Sequence, residues 1–311
     1  MSLRITTAQA YDTSISNLQT RQQDLADAQN RLTSGKRVAS ASDDPVAAAR
    51  AERALATMMK TEADQRALEA SRNVMQQAES ALGDAGDLVQ QARELIVNAG
   101  NGSYSDSDRA TLANKLKGLR DQLLGIANRT DGAGTYLFGG QGTKAPPFVD
   151  TPAGVTYQGT SGQSEVPAGE TLPTSVDGSR TWLQATDPTT GQSNLSVFNV
   201  LDRVIGELNT PNQAGDVIEQ QVKSGLADLD ASADNLLSAR ASAGEVLNRT
   251  DSIEQRNADA KLAAQTERSN AEDLDMVQAV SDFQNKQSGY DAALKTYSMV
   301  QRESLFQYLS A

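Results

Sequence analysis

Hydrophobic positions at the two ends of this chain repeat at coiled-coil spacing. Near the N-terminus Tyr11, Leu18, Leu25 and Leu32 recur every seven residues, with Ile15, Gln22 and Gln29 at the other seam position. Near the C-terminus Val280, Phe283, Tyr290, Leu294, Tyr297, Leu305 and Leu309 fall mostly three, four or seven residues apart, and Gln287 and Gln301 share their seam. A stripe this narrow predicts coiled-coil helices rather than globular ones, and the strict seven-residue repeat predicts a left-handed supercoil. Glutamine dilutes both seams, and Gly289 weakens the second helix by about 1 kcal/mol relative to Ala. Helices so poor in apolar surface depend on what packs against them. The pattern therefore predicts that 1–35 pairs with 275–311 and that further copies complete the packing.

Between the ends the period stays helical, then breaks, then returns. Thr33-Ser34-Gly35 stops the first helix, Gly suiting a left-handed cap. Asp44 is a good N-cap and Pro45 a good first helical residue, so a second helix starts there and runs to about Val97, with Leu55, Met59, Leu68, Met75, Leu82 and Val89 among its apolar positions. Ser105 and Asp108 form a capping-box-like start for a third helix carrying Leu112, Leu116, Leu119, Leu123 and Ile126. From Gly139 to Asn194, Gly, Pro, Thr and Ser dominate; 155–157, 171–176 and 180–183 are strand candidates, with Asp177-Gly178 as a turn. Helix resumes at 196–208 and from Asp216 onward.

The expected fold class is mainly α: an elongated helical bundle with terminal coiled-coil helices and a small β insertion domain. Its expected parts are an N-terminal coiled-coil segment 1–35, a bundle formed by 36–140 with 195–274, a β-rich insertion 141–194, and a C-terminal coiled-coil segment 275–311. This nesting implies that residues 147–193 can be removed with the helical remainder still folded.

Composition narrows the function. With no Cys and no His, the chain lacks disulfides, thiol nucleophiles, imidazole bases and the usual zinc ligand sets. A net charge of −12 argues against nucleic acid as a partner. That charge is uneven: 1–35 balances three Arg with three Asp, 275–311 carries −1, and the middle holds −11. Near-neutral ends can crowd together, whereas an acidic middle stays solvated. No secretory leader and no apolar run long enough for a membrane span is expected, so no membrane insertion is foreseen.

No catalytic constellation is found, and neither a cofactor nor a metal is expected. Asp228, Asp230 and Asp234 lack the Gly and final Glu of a calcium loop and read as a solvated helix face. Gly132-Ala133-Gly134 lacks the third glycine and preceding strand of a dinucleotide fingerprint and reads as a turn. Asp43 and Asp44 read as capping groups beside a helix dipole. The candidate subunit-interface residues are Tyr11, Ile15, Leu18, Leu25, Leu32, Val280, Phe283, Tyr290, Leu294, Tyr297, Leu305 and Leu309, with Asp43, Asp44 and Pro45 as a cap and signature.

Three blocks resemble the flagellin superfamily. They are Leu32 to Ala49, built around Ser42-Asp43-Asp44-Pro45; Val89 to Gly102 followed by Ser105-Asp106-Ser107-Asp108; and the tail Ser304-Leu305-Phe306-Gln307-Tyr308-Leu309. Within the superfamily, Asp44 to Ala49, Tyr136-Leu137-Phe138-Gly139-Gly140 and the modest insertion look like the hook–filament junction members rather than filament flagellin. The resemblance implies an extracellular flagellar subunit, exported by a type III apparatus without a cleaved signal, with termini disordered in the free monomer. It implies as partners a ring of copies of itself, neighbouring hook-associated and flagellin subunits, and an export chaperone. Arg93-Glu94-Leu95 resembles the flagellin surface seen by an innate immune receptor, although an ordinary bundle face accounts for it as well. The alternatives are filament flagellin, a cytoplasmic coiled-coil signalling rod, and a glycan-binding or enzymatic insertion.

Overall fold

The computed structural model describes the backbone of residues 7–309 and the side chains of residue 9 and residues 11–299. Within them helices dominate: α1 (Thr7–Ser34), α2 (Pro45–Ala99), α3 (Asp106–Ala127), α4 (Gly178–Leu183), α5 (Val197–Leu208), α6 (Gly215–Glu272) and α7 (Met276–Leu309). Six short strands lie between α3 and α5: β1 (Phe148–Thr151), β2 (Gly154–Tyr157), β3 (Glu165–Pro167), β4 (Thr171–Pro173), β5 (Ala185–Thr186) and β6 (Ser193–Leu195). They form three separate antiparallel pairs, β1–β2, β3–β4 and β5–β6.

Local chemistry sets the helix ends. Gly35 terminates α1 at φ +68°, where a side chain would be strained. Asp44 Oδ1 accepts from the backbone of Val46 and Ala47 at the start of α2, as Asp275 Oδ1 does from Val277 and Gln278 at the start of α7. Ser105 and Asp108 complete a reciprocal capping box on α3. Asp43 Oδ2 closes the preceding loop by accepting from the backbone of Ala39 and Ser40.

The chain packs as two compact units: unit 1 is Met1–Lys60 with Asp259–Ala311, and unit 2 is Thr61–Ala258. Unit 2 holds a large core in which α2, α3, α5 and α6 meet the insertion. Its centre is aromatic: Trp182 stacks on Phe198 at 5.9 Å between centroids and meets Phe138 edge-on at 5.4 Å, with Phe148 beside Trp182 and Phe198. A satellite cluster of Leu68, Ala168, Leu172 and Ile253 seats the β3–β4 hairpin, helped by the Ser71 hydroxyl donating to the Pro173 carbonyl at 2.6 Å.

The Tyr136–Gly140 motif builds the root of the insertion. Leu137 and Phe138 are buried, and Gly140 at φ +64° lies so close to the Thr160 carbonyl that no Cβ would fit. Around it the Gly140 N–H donates to the Val176 carbonyl, and Ser175 Oγ donates to the Gly140 carbonyl.

Two expectations need correction. Residues 180–183 belong to helix α4, not a strand: Asp177 Oδ1 accepts from the Arg180 N–H and caps a turn that drives Trp182 inward. The strand expected over 171–176 ends at Pro173, beyond which Thr174 donates to the Ser164 carbonyl and Val176 to the Leu137 carbonyl.

Candidate assembly surface

Within unit 1, α1 and α7 run antiparallel against one another. At one end the Tyr297 hydroxyl donates to the Tyr11 hydroxyl at 2.6 Å. Farther along, Arg21 lies against Gly289 and Lys286 Nζ donates to the Asp24 carbonyl at 3.5 Å. At the other end Leu274 donates to the Gly35 carbonyl, and Arg37 and Val38 donate to the Glu272 carbonyl. The Lys36–Glu272 ion pair at 3.2 Å and the Arg37 guanidinium on the Ala271 carbonyl tie the same junction.

The seam residues divide into two groups. Ile15, Leu18, Leu25 and Leu32 on α1 are half-buried, as are Phe283, Tyr290 and Tyr297 on α7. Tyr11 remains exposed, and Val280 and Leu294 are each 42% exposed. Thus α7 covers the line Phe283–Tyr290–Tyr297 against α1 and leaves the line Val280–Leu294 open. The side chains of Leu305 and Leu309 lie outside the described residues.

Sequence reasoning missed a further feature of unit 1. Among the described residues its buried apolar side chains are small: Ala28, Val38, Ala47, Ala51, Ala54, Ala264 and Ala271. Its large apolar side chains are half-buried along the α1–α7 seam or exposed, with Met59 60%, Leu262 63% and Val277 85% exposed, joined by Val46, Met276 and Met299. Met59, assigned to the apolar face of its helix, is thus a surface residue. Among the described residues unit 2 exposes fewer large apolar side chains, namely Val97, Val217 and Leu237. The signal was available, since Ala47, Ala51 and Ala54 form an alanine stripe with larger residues on other faces of α2.

The remaining candidates are structural. Asp228 is buried and paired with Arg203, and Asp230 pairs with Arg93 at 2.8 Å, so these two aspartates are not a bare solvated face but ties from α6 to α5 and α2. Gly132 and Gly134 are turn residues with positive φ, and Asp131 Oδ1 accepts from Ala133 and Thr135. Among the described residues no group of three or more metal-ligating side chains is arranged for a metal, and no helix is long and apolar enough to cross a membrane.

Residues 5–143 match the family model of the bacterial flagellin N-terminal helical region. Flagellar hook-associated protein 3 of Salmonella typhimurium is 32% identical over 317 residues, covering 98% of this chain and 99% of its own. The chain belongs to the flagellar hook-associated protein 3 family. It is a structural protein of the bacterial flagellum. By contrast flagellin E of Vibrio cholerae, 33% identical, matches over 128 residues only, 41% of this chain and 34% of its own. The fold agrees with a solved structure of a putative flagellar hook-associated protein from Vibrio parahaemolyticus, with a TM-score of 0.66 at 22% identity, over 74% of this chain and all of that one.

Proposed function

We propose that copies of this chain form a ring that joins the hook to the filament, and that unit 1 is the surface through which they assemble. The carrying observation is the inverted burial of unit 1, which hides alanine and displays methionine, leucine and valine. The half-covered α1–α7 seam supports the same reading: Val280 and Leu294 are open positions that a neighbouring helix can fill. Tyr11, Ile15, Leu18, Leu25, Leu32, Phe283, Tyr290 and Tyr297, with Leu305 and Leu309, are the proposed remainder of that interface.

Charge favours the same division of labour. Unit 1 carries 13 basic and 14 acidic residues, net −1, which leaves −11 for unit 2. Unit 1 can therefore be crowded without strong repulsion, while the acidic unit 2 stays hydrated. The whole chain is read as the terminal coiled-coil segments 1–35 and 275–311, a bundle of 36–140 with 195–274, and the β-rich insertion 141–194. The proposed neighbours are other copies, a hook-associated subunit on one side and flagellin-type subunits on the other. Export is through the flagellar type III route, with a chaperone covering the terminal helices until assembly. The role is structural rather than catalytic.

Imaging of purified hook–basal bodies carrying labelled protein tests this proposal. Label confined to a band at the hook tip supports it. Label spread along the filament assigns the chain to the filament instead, and absence of label rejects both.

A further inference from the structure

We propose that Asn101, in the turn between α2 and α3, is a site of spontaneous deamidation in the folded protein, with water as co-reactant and isoaspartate as a product. The turn holds the sole Asn–Gly step of the sequence, Asn101-Gly102. The nucleophile is the backbone nitrogen of Gly102. Both residues are exposed, and a Cβ on Gly102 would meet nothing within 4 Å. Among the described residues the Gly102 N–H has no hydrogen-bond partner. Solvent therefore reaches that N–H and can take its proton.

The electrophile is the side-chain carbonyl carbon of Asn101. Its oxygen, Oδ1, accepts from the Ser103 N–H at 3.0 Å. That donor faces the atom on which negative charge develops as the carbonyl is attacked, the role of an oxyanion hole. The backbone around it is held, because the Asn101 N–H donates to the Asn98 carbonyl and the Tyr104 N–H to the Asn101 carbonyl. Asn98 and Asn128 lack this combination. Asn98 lies inside α2, where the next N–H belongs to the helical ladder. Asn128 has both side-chain polar atoms committed to the Phe148 backbone, and the following N–H, of Arg129, donates to the Ile126 carbonyl.

Hydroxide removes the Gly102 N–H proton, and the nitrogen bonds to Asn101 Cγ. The bond from Cγ to Nδ2 then breaks, and ammonia leaves after taking a proton from water, which closes a succinimide ring. A water opens the ring at either carbonyl. Opening at the side-chain carbonyl gives aspartate, and opening at the main-chain carbonyl gives isoaspartate. In sum one water is consumed and one ammonia released, with nothing oxidised or reduced. Each conversion adds a negative charge a few residues before Asp106 and Asp108. Isoaspartate also lengthens the main chain by one carbon, in a turn whose Gly100 lies against Val222 of α6.

The test ages the free full-length protein at mildly alkaline pH and maps its tryptic peptide 94–109 by mass spectrometry. An isoaspartate methyltransferase with labelled S-adenosylmethionine supplies a second readout. The expected product carries OH in place of NH2 at residue 101 and takes up methyl label in the same peptide. Gly102→Ala should remove both signals over the same incubation, because the added methyl shields the nitrogen. That variant should fold, since Gly102 lies outside the left-handed region and has room for a Cβ, and Trp182 fluorescence checks it. Conversion seen only after unfolding in urea, conversion at Asn98 instead of Asn101, conversion that persists in Gly102→Ala, or no conversion at all overturns the proposal.

Discussion

Arg21 lies across Gly289, so close that a Cβ on residue 289 would stand 2.7 Å from Arg21 Nη1. Two effects of Gly289→Ala therefore oppose each other. Alanine favours helix by about 1 kcal/mol, whereas the contact obliges the guanidinium to move. The obstructing atom is the far end of a flexible, exposed side chain, so the helix term wins. Gly289→Ala is expected to raise helical circular dichroism and the resistance of α7 to proteolysis. Loss of helicity would show that Arg21 is fixed in place by the pairing.

Leu18 and Leu294 should separate assembly from stability. Leu18 is half-buried and Leu294 is 42% exposed, whereas Leu229 is fully buried in the core of unit 2. Leu229→Ala is expected to cost about 2–5 kcal/mol in denaturant melts, and the other two alanine substitutions about 1 kcal/mol or less. Both seam substitutions should nonetheless abolish incorporation at the hook tip. A core-sized loss for Leu18→Ala or Leu294→Ala would mean that the seam is already packed in the single chain.

Excising 147–193 is now expected to unfold unit 2, contrary to what the nested pattern of the sequence implies. The deletion removes Phe148, Val155, Val176 and Trp182 from the core shared with the helices, leaving Phe138 and Phe198 uncovered. It also removes Asp150, one of three carboxylates paired with the buried Arg120, Asp121 and Asp202 being the others. Removing a single large aromatic from a core costs about 3–5 kcal/mol, and this deletion takes two. Retained helical circular dichroism with an unchanged melt would contradict the shared core.

Acid should destabilise the fold below the ordinary carboxylate range. Hydrogen bonds from Arg120 lower the Asp150 carboxyl, and backbone N–H groups lower Asp43, Asp44 and Asp187. Arg249 and Arg256 do the same for Glu170. Each lowered carboxylate contributes stability above its unfolded pKa and loses it as pH falls through the folded one. Glu207 acts in the opposite sense, because burial raises it, with Arg203 partly offsetting the effect. Melting temperature is therefore predicted to hold from neutral pH down to about 5 and then to fall through about 4 and below. A melt independent of pH over that range would rule out these pairings.

Helix ends were legible in the sequence because their chemistry is local. Gly35, Asp44-Pro45 and Ser105 with Asp108 each fix a boundary within a few residues, and the seven-residue repeats of α1 and α7 register as periodicity. What was not legible depends on distant partners. Asp177-Gly178 reads as a turn until Asp177 is seen to cap α4, and Met59 reads as core until the alanine stripe beside it is seen to take the interior. The pairing of Tyr11 with Tyr297 joins the two ends of the chain and has no local signal at all.

Hydrogen exchange on the free protein and on the assembled hook tip tests the central claim most directly. If unit 1 assembles by completing the α1–α7 seam, both helices should exchange rapidly in the free chain while α3 and the unit 2 part of α2 are strongly protected. On assembly the amides of α1 and α7 should slow by orders of magnitude, with unit 2 little changed. Terminal helices as protected in the free chain as unit 2, or unchanged on assembly, would contradict the account.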